Sequence, residues 1–260
     1  MLNNSNPTIE SLLASTEPDE IRRGLELAEQ EFSQSGFSSV KHLVEIVSTL
    51  FYIDPLDRPE LVPLVDDAIS LIARFGKPAV PILVEKLEAG DLKSQIAIAH
   101  ALGRIGTDAI EPLIAEYKSS KDPARRAFSL YALGKIKSPK IVQAADCVIE
   151  AAQSPDLELR DTATRAIGKF AESIPPSHLA EEQRMILVKT LRNNLGDSNP
   201  GIRAKAVRSL GKLAKCGHLT VDEKRQLNAT CLLITGKDEN FEWDRAYIVR
   251  KEAEQTLKYL

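Results

Sequence analysis

Aromatic residues make up only 5% of this 260-residue chain, and neither sign of charge dominates, with 34 basic against 37 acidic side chains. A net charge of −3 gives no overall field that would attract nucleic acid or a bilayer. No window approaches the run of about 18 apolar residues that a transmembrane helix needs. The first residues, MLNNSNPTIE, lack the basic and apolar regions of a signal peptide. We therefore expect a cytoplasmic protein with no membrane span and no nucleic-acid partner.

Cysteine is also scarce. Cys147, Cys216 and Cys231 are an odd number at wide spacing, which argues against a disulfide framework and fits a reducing compartment. The stretch Cys216-Gly217-His218, followed by Cys231, groups residue types that ligate metals, but structural zinc sites normally use paired ligands at defined spacings. We therefore expect packed cysteines and a helix-ending glycine turn, with no metal site. Cys216, His218 and Cys231 are kept as weak metal candidates.

Motifs that would mark catalysis are missing too. The sequence has no P-loop, zincin or nucleophile-elbow pattern. His42 and His178 have no spaced Ser, Cys or Asp partners that would indicate a triad. Adjacent carboxylates such as Asp66 and Asp67 diverge on a helix, which disfavours shared acid–base work. No catalytic residue is predicted.

The sequence does contain a repeated five-residue motif. Ala132-Leu133-Gly134-Lys135-Ile136 recurs as ALGRI at 101–105, AIGKF at 166–170 and SLGKL at 209–213. Such recurrence is typical of helix pairs stacked into a solenoid. We predict an all-α fold, a right-handed α-solenoid of about six helix pairs over residues 58–260. Residues 1–57 are predicted to form an N-terminal helical cap or a degenerate repeat.

The motif closes the second helix of each predicted pair. First helices are expected near 78–89, 108–119, 139–152, 178–195 and 221–235. Second helices are expected near 91–105, 122–136, 156–172, 199–215 and 246–260. One register column aligns the residues that close the second helices: Phe75, Ile105, Ile136, Phe170, Leu213 and Leu260.

The same register places helix-capping residues and arginines in columns. N-cap residue types open four second helices: Asp91, Asp122, Asp156 and Asn199. Four residues further on stand the arginines that we call the arginine ladder: Arg126, Arg160, Arg203 and Arg250. We interpret the two columns as a structural ladder in which each arginine bonds the cap of the neighbouring repeat by bidentate geometry.

Glycine recurs inside the motif at Gly103, Gly134, Gly168 and Gly211. Each interior glycine costs about 1 kcal/mol relative to alanine. A cost repeated in four helices predicts close contact between neighbouring helices at these positions.

Basic residues recur beside the glycine position in all six copies, and we call them the basic column: Arg74, Arg104, Lys135, Lys169, Lys212 and Lys258. Four residues earlier, the flank is extended by His100, Tyr131, Arg165 and Arg208. The helical period places the column outside the apolar stripe, so we predict a partner-binding row that faces an acidic protein surface or a polyanion. The alternative is that lysine and arginine simply favour helix C-terminal ends.

These features resemble HEAT repeats, and most of all the HEAT-like repeats of the cyanobacterial phycobilisome lyase group, over about residues 58–260. The shared features are the helix pairs, the Asp or Asn that opens the second helix, the arginine four residues later and the A-L-G-[KR]-[IFL] close. The resemblance implies that the second helices line a concave face, so that the basic column would face the partner.

The resemblance also implies a function, with alternatives left open. The first is a protein-binding scaffold or assembly chaperone without covalent chemistry of its own. The second is a bilin lyase or lyase-isomerase subunit acting on phycobiliproteins, and the third is a partner of an iron–sulfur scaffold protein. No cofactor of its own is expected, and a bilin or an iron–sulfur cluster would arrive through a partner. Another HEAT-like protein or a phycobiliprotein would then be that partner.

Overall fold

The computed structural model describes residues 7–88, 91–237 and 243–260, and within them the regular elements are helices. The first compact unit, Met1–Leu113, contains α1 (Ile9–Leu13), α2 (Pro18–Ser35), α3 (Val40–Val47), α4 (Val62–Arg74), α5 (Val80–Glu85) and α6 (Leu92–Ile105). The division falls within α7 (Ile110–Ser119). The second unit, Ile114–Leu260, contains α8 (Pro123–Leu133), α9 (Ala145–Ala151), α10 (Leu157–Ser173), α11 (Glu181–Asn194), α12 (Pro200–Lys215), α13 (Val221–Ile234) and α14 (Tyr247–Leu257).

The predicted second helices are confirmed within a few residues as α6, α8, α10, α12 and α14. Their starts follow from local chemistry. The Asp156 carboxylate accepts a hydrogen bond from the Leu159 backbone N–H, which satisfies one of the free donors of the first turn of α10. Asn199 does the same for α12 through Gly201 N–H, and Pro200 follows at the first helical position, which needs no donor.

The first helices match less regularly. The stretch predicted near 139–152 begins as a 3₁₀ segment, Pro139–Ala144, before α9, and another 3₁₀ segment, Ser48–Tyr52, follows α3. The capping box before α13 is present: Thr220 Oγ1 accepts from Glu223 N–H, and the Glu223 carboxylate accepts from Thr220 N–H.

Helix ends support the predicted register. α6 ends at Gly106 with φ +83°, and Gly76, which has φ +67°, stands at the same place after α4. Both glycines directly follow a residue of the closing column, Ile105 and Phe75. These left-handed conformations favour glycine because it has no Cβ.

The second helices stack directly on one another within each unit. In unit 1, α2 packs on α4 and α4 on α6, and in unit 2 the series is α8, α10, α12 and α14. The closing residues Phe75, Ile136 and Phe170 are at most 1% exposed. Each contributes on the order of 1.5–3 kcal/mol through burial of its side chain. The chain therefore has an all-α solenoid fold, while the right-handed sense and the domain boundary at residue 57 stay predictions.

None of the described helices combines the length and the apolarity that crossing a bilayer requires.

Candidate functional site

The arginine ladder joins neighbouring repeats in unit 2. In α10, Arg160 Nη1 donates to the carbonyl oxygens of Ser154 and Pro155 in its own turn, at 2.7 and 3.1 Å. Its Nε donates to Asp197 Oδ2 of the next repeat at 2.7 Å. In α12, Arg203 repeats this pattern, with Nη1 on the Asp197 carbonyl and a bidentate pair to Asp244 at 2.7 and 2.8 Å. The arginines therefore hold successive turns together.

The acid that binds each of these two arginines differs from the predicted one. It is not the N-cap residue of the next second helix, but a residue that precedes that N-cap. Asp197 and Asp244 stand two residues before the N-cap positions of α12 and α14, Asn199 and Ala246. Each aspartate accepts from the N–H of that N-cap residue through Oδ1, so Oδ2 is turned to the arginine of the preceding repeat. The acid that binds the arginine therefore precedes the N-cap residue by two positions.

The two remaining ladder arginines have other partners. Arg126 donates to Glu150 Oε1 at 2.8 Å, and its guanidinium carbon lies 4.4 Å from the centroid of the Tyr117 ring. At the position two residues before the N-cap of the next second helix, where Asp197 and Asp244 stand in the later repeats, this repeat has Ser154. Arg250 binds the Asp244 and Arg245 carbonyls of its own turn at 2.7 and 3.0 Å.

Close helix approach explains two of the recurring motif glycines and not a third. A Cβ on Gly168 would lie 2.6 Å from Ser209 Oγ and 3.0 Å from Ser209 Cα, and one on Gly211 would lie 2.6 Å from Thr256 Oγ1. Gly134 has no contact closer than 3.4 Å and caps the end of α8 instead. The predicted reason for glycine is therefore wrong at Gly134, where the helix has already ended.

The same contacts correct the basic column at its last member. Thr256 packs on Gly211 as Ser209 packs on Gly168, which places Lys258 at the glycine position of α14. Tyr259 takes the position of the basic column, with Lys215 Nζ 5.1 Å from the centroid of its ring. Lys258 Nζ donates to Gln255 Oε1 at 3.1 Å.

Three cations of the predicted row are bound by acids of neighbouring helices. Arg74 pairs with Glu29 in unit 1, at 2.5 Å. Arg104 pairs with Asp66 and also donates to Ser70 Oγ at 2.6 Å. In unit 2, Arg208 pairs with Glu252, with one contact of 2.8 Å between Nε and Oε2. His100, half-buried on α6, lies beside an apolar pocket of unit 1. The ion pairs neutralise Arg74, Arg104 and Arg208, so these three side chains are less available to an acidic partner.

A different arrangement surrounds Tyr131 in unit 2. Lys135 Nζ lies 4.6 Å from the centroid of the Tyr131 ring, and the Arg165 guanidinium carbon lies 5.8 Å from it. Neither cation enters an ion pair with any residue of the described ranges. Lys169 lines the same shallow groove between α8 and α10. We call Tyr131, Lys135, Arg165 and Lys169 the Tyr131 cluster.

Glu172 joins this cluster to α12. Its two carboxylate oxygens contact Lys169 Nζ at 3.1 Å and Lys212 Nζ at 3.0 Å. Burial raises the pKa of Glu172, but hydrogen bonds from Lys212 and Lys169 lower it by more, so the net shift is downward. Burial lowers the pKa of Lys212, and the nearby Glu172 carboxylate only partly offsets this. One carboxylate thus serves two lysines.

The groove at the Tyr131 cluster is almost filled by its own side chains, which leave about 20 Å³ of free space. It therefore presents a cationic surface and no enclosed cavity.

The weak metal candidates do not come together. Cys231 is fully buried in α13, whereas Cys216 is half-buried after α12. His218 is 2% exposed, and its Nε2 lies 3.2 Å from the Ala171 carbonyl oxygen. Within the ranges that the structure describes, no three His, Cys, Asp or Glu side chains are grouped as metal ligands.

Sequence reasoning missed the acids that neutralise the row and the ladder partners: Glu29, Asp66, Glu172 and Glu252 for the row, and Asp197 and Asp244 for the ladder. The ladder acids carried a signal, since an Asp or Ser two residues before the N-cap recurs at Ser120, Ser154, Asp197 and Asp244. The neutralising acids carried none, because they stand at different positions in different repeats.

The helix pairs and their ladder define an all-α solenoid. Residues 110–183 match the family model described as HEAT repeats. No curated protein matches the sequence.

Solved structures share the fold at low sequence identity. The complex of CpcE and CpcF of phycocyanin lyase from Nostoc sp. PCC7120 is 20% identical, with a TM-score of 0.54, over 68% of this chain and 97% of that one. A Kap121p mutant is 15% identical with a TM-score of 0.61, over 96% of this chain and 28% of that one. A structure of Kap95p, which binds RanGDP, is 14% identical with a TM-score of 0.59, over 96% and 35%.

Proposed function

We propose that the protein is a binding scaffold that holds an acidic segment of another protein against the Tyr131 cluster and Lys212. The observation that carries this proposal is the local charge balance. Lys135, Arg165 and Lys169 line one groove, Lys212 contacts Glu172, and among the described residues Glu172 is the only acid that pairs with any of these four cations, in a chain whose net charge is −3. A local excess of positive charge on an acidic protein attracts an acidic partner.

The Tyr131 ring supports the proposal because it positions cations without neutralising them. A cation over an aromatic face is stabilised by about 0.5–1 kcal/mol at an exposed site and keeps its full charge. Lys135 and Arg165 are therefore held in place and remain available to carboxylates. The filled groove favours contact with a protein surface over an enclosed small molecule.

Charge reversal tests the proposal. The double variant Lys135→Glu, Arg165→Glu is compared with Lys251→Glu, Arg245→Glu, which makes the same change in net charge at exposed positions of unit 2 outside the cluster. The probe is a short synthetic peptide rich in Asp and Glu, and fluorescence anisotropy gives its Kd. We expect the cluster variant to weaken binding at least about tenfold and the control variant to change it less than about threefold. Equal weakening by both variants would show that only net charge matters.

The natural partner is identified separately. Affinity capture with the parent, cluster and control chains, followed by mass spectrometry, should recover a protein that the parent and control retain and the cluster variant loses. Thermal unfolding of all three chains must coincide for the comparison to hold.

A bilin lyase subunit is the second candidate, favoured by the likeness to the phycocyanin lyase structure over 97% of that chain. Co-expression with bilin-synthesis enzymes, followed by absorbance of the purified protein, tests it: stable pigment supports the lyase, and a colourless protein supports the scaffold. Assay of iron and acid-labile sulfide after purification without oxygen tests the third candidate, an iron–sulfur scaffold partner.

A further inference from the structure

Unit 1 contains an apolar pocket at the place where the arginine ladder is missing. The ladder position lies ten residues before each closing residue, and counting back from Phe75 it holds Val65 in α4. Val65 lines a cavity of about 320 Å³ between α4, α6 and the segment after the 3₁₀ turn Ser48–Tyr52. In the later repeats an arginine crosses to the next turn at this position. A valine is too short to make this bridge, and it presents an apolar side chain to the cavity instead.

The walls of the pocket are mostly aliphatic or aromatic: Phe51, Ile53, Val62, Val65, Ile69 and Ile96. Val62 is 43% exposed at its edge. Two more large apolar side chains stand next in sequence to pocket residues. Leu56 follows Pro55 and is 88% exposed, and Leu92 precedes Lys93 and is 61% exposed. Exposed apolar surface around a concave apolar pocket is typical of a binding site.

The charged groups at the rim decide what kind of partner fits. Lys93 is already paired with Asp54, and Arg104 is already paired with Asp66. The pocket residue Lys93 lies within electrostatic range of two further acids, Asp57 and Asp91, and neither enters an ion pair with any residue the structure describes. The unneutralised charge beside the pocket is therefore negative, and its complement is positive.

We propose that this pocket docks a basic amphipathic segment of a partner protein, with two or more apolar side chains inserted between α4 and α6 and lysines or arginines beside the acidic rim. Apolar anchors at i, i+3 and i+7 on a helix are the usual way in which such a segment fills a groove. The site lies wholly within unit 1 and does not depend on the Tyr131 cluster.

The probe is a synthetic amphipathic peptide with leucines at i, i+3 and i+7 and lysines elsewhere. Two control peptides replace the leucines by serine or the lysines by glutamate. The first protein variant is Val65→Gln, because glutamine is the residue at the same register position of α6, Gln95. The second is Val62→Gln, at the more exposed edge of the pocket. Val221→Gln is the matched control, since Val221 is 75% exposed in unit 2. All three substitutions are neutral, so repulsion of the peptide cannot imitate loss of the pocket.

We expect the leucine–lysine peptide to protect α4 and α6 from hydrogen exchange. Val65→Gln and Val62→Gln should each weaken binding at least about tenfold, with Val221→Gln unchanged. Because Val62 is partly exposed, its variant keeps the test valid if Val65→Gln disturbs folding.

Three results would overturn the proposal. These are equal binding by all three variants, equal binding of the serine peptide, or binding of the glutamate peptide as tight as that of the lysine peptide. Sedimentation of the parent chain supplies a further arm: a dimer that Val65→Gln dissociates would mean that a second copy fills the pocket, and the basic segment would be rejected.

Discussion

Arg203 and Asp244 form a bidentate ion pair that joins α12 to the turn before α14, with N–O distances of 2.7 and 2.8 Å. The two side chains are 19% and 13% exposed, so little water is available to replace either partner of the pair. The hydrogen bonds from Arg203 are the largest cause that lowers the pKa of Asp244.

Asp244→Asn should therefore destabilise unit 2 by about 1–3 kcal/mol, because it leaves a mostly buried guanidinium without its acid. The pKa of Asp244 is lowered in the folded protein, so the stability from this pair is present above the unfolded pKa of about 3.9 and is lost as pH falls through the folded pKa. Urea unfolding from neutral to acid pH measures both effects. The difference between parent and variant should shrink in acid, and a constant difference would contradict the assignment.

Gly168→Ala and Gly211→Ala should each cost about 1–3 kcal/mol, since the new methyl groups meet Ser209 and Thr256 at 2.6–3.0 Å. Gly134→Ala is the matched control, with its nearest contact at 3.4 Å and φ at −66°. Its effect should stay within about 0.5 kcal/mol. Thermal unfolding of the three variants checks this order, and a loss at Gly134 equal to that at Gly168 would refute the close-approach argument.

His218 should make the protein less stable in mild acid. Burial lowers the pKa of His218 in the folded state, so the neutral ring is favoured there. The unfolded chain then binds the proton more readily, and stability falls as pH drops below about 6.5. His218→Gln, which keeps a donor for the Ala171 carbonyl, should flatten the pH dependence between about pH 7.5 and 5.5. Denaturant titrations at several pH values test this, and an unchanged slope would exclude His218 as its source.

The three thiols should differ in reactivity. Burial raises the pKa of Cys231 to about 12, and burial also raises the pKa of Cys147 and of half-buried Cys216. Because the thiolate is the reactive form, iodoacetamide should label the folded chain slowly and mainly at Cys216, and label all three cysteines in urea. Peptide mass spectrometry reads out the sites. Rapid labelling of Cys231 in the folded chain would show that its packing is wrong.

Glu172→Gln should strengthen binding of an acidic peptide at the Tyr131 cluster. It removes the carboxylate that now neutralises Lys169 and Lys212. Anisotropy should show a lower Kd by about two- to tenfold, with a steeper dependence on salt. Glu254→Gln makes the same charge change at an exposed position of α14 and serves as the control. Equal gains from both variants would show a net-charge effect.

Much of the fold was readable from the sequence because caps and closing residues are local signals. Asp122, Asp156 and Asn199 each bond an N–H of their own helix, and such bonds depend on neighbours along the chain. The contacts of the basic column were not readable, because a partner such as Glu252 or Asp66 depends on how one helix lies against the next. Lys258 was misplaced for a different reason: it stands two residues before the closing residue Leu260, whereas the other five basic residues stand directly before theirs, so the sequence register already assigns that position to Tyr259.

Val65 could have been found earlier. Carrying the arginine ladder back one repeat from Gln95 and Arg126 places an apolar residue where a long polar one is usual. Val65 is hard to recognise as an exception to the arginine ladder, because the repeat pattern is weakest in the first quarter of the chain.

The ladder position can serve two different structural purposes. In α12, Arg203 bridges two turns by binding Asp244, whereas Val65 at the same register position of α4 lines a cavity of about 320 Å³. Cohesion between repeats and a concave apolar surface are therefore alternative uses of a single position in the repeat.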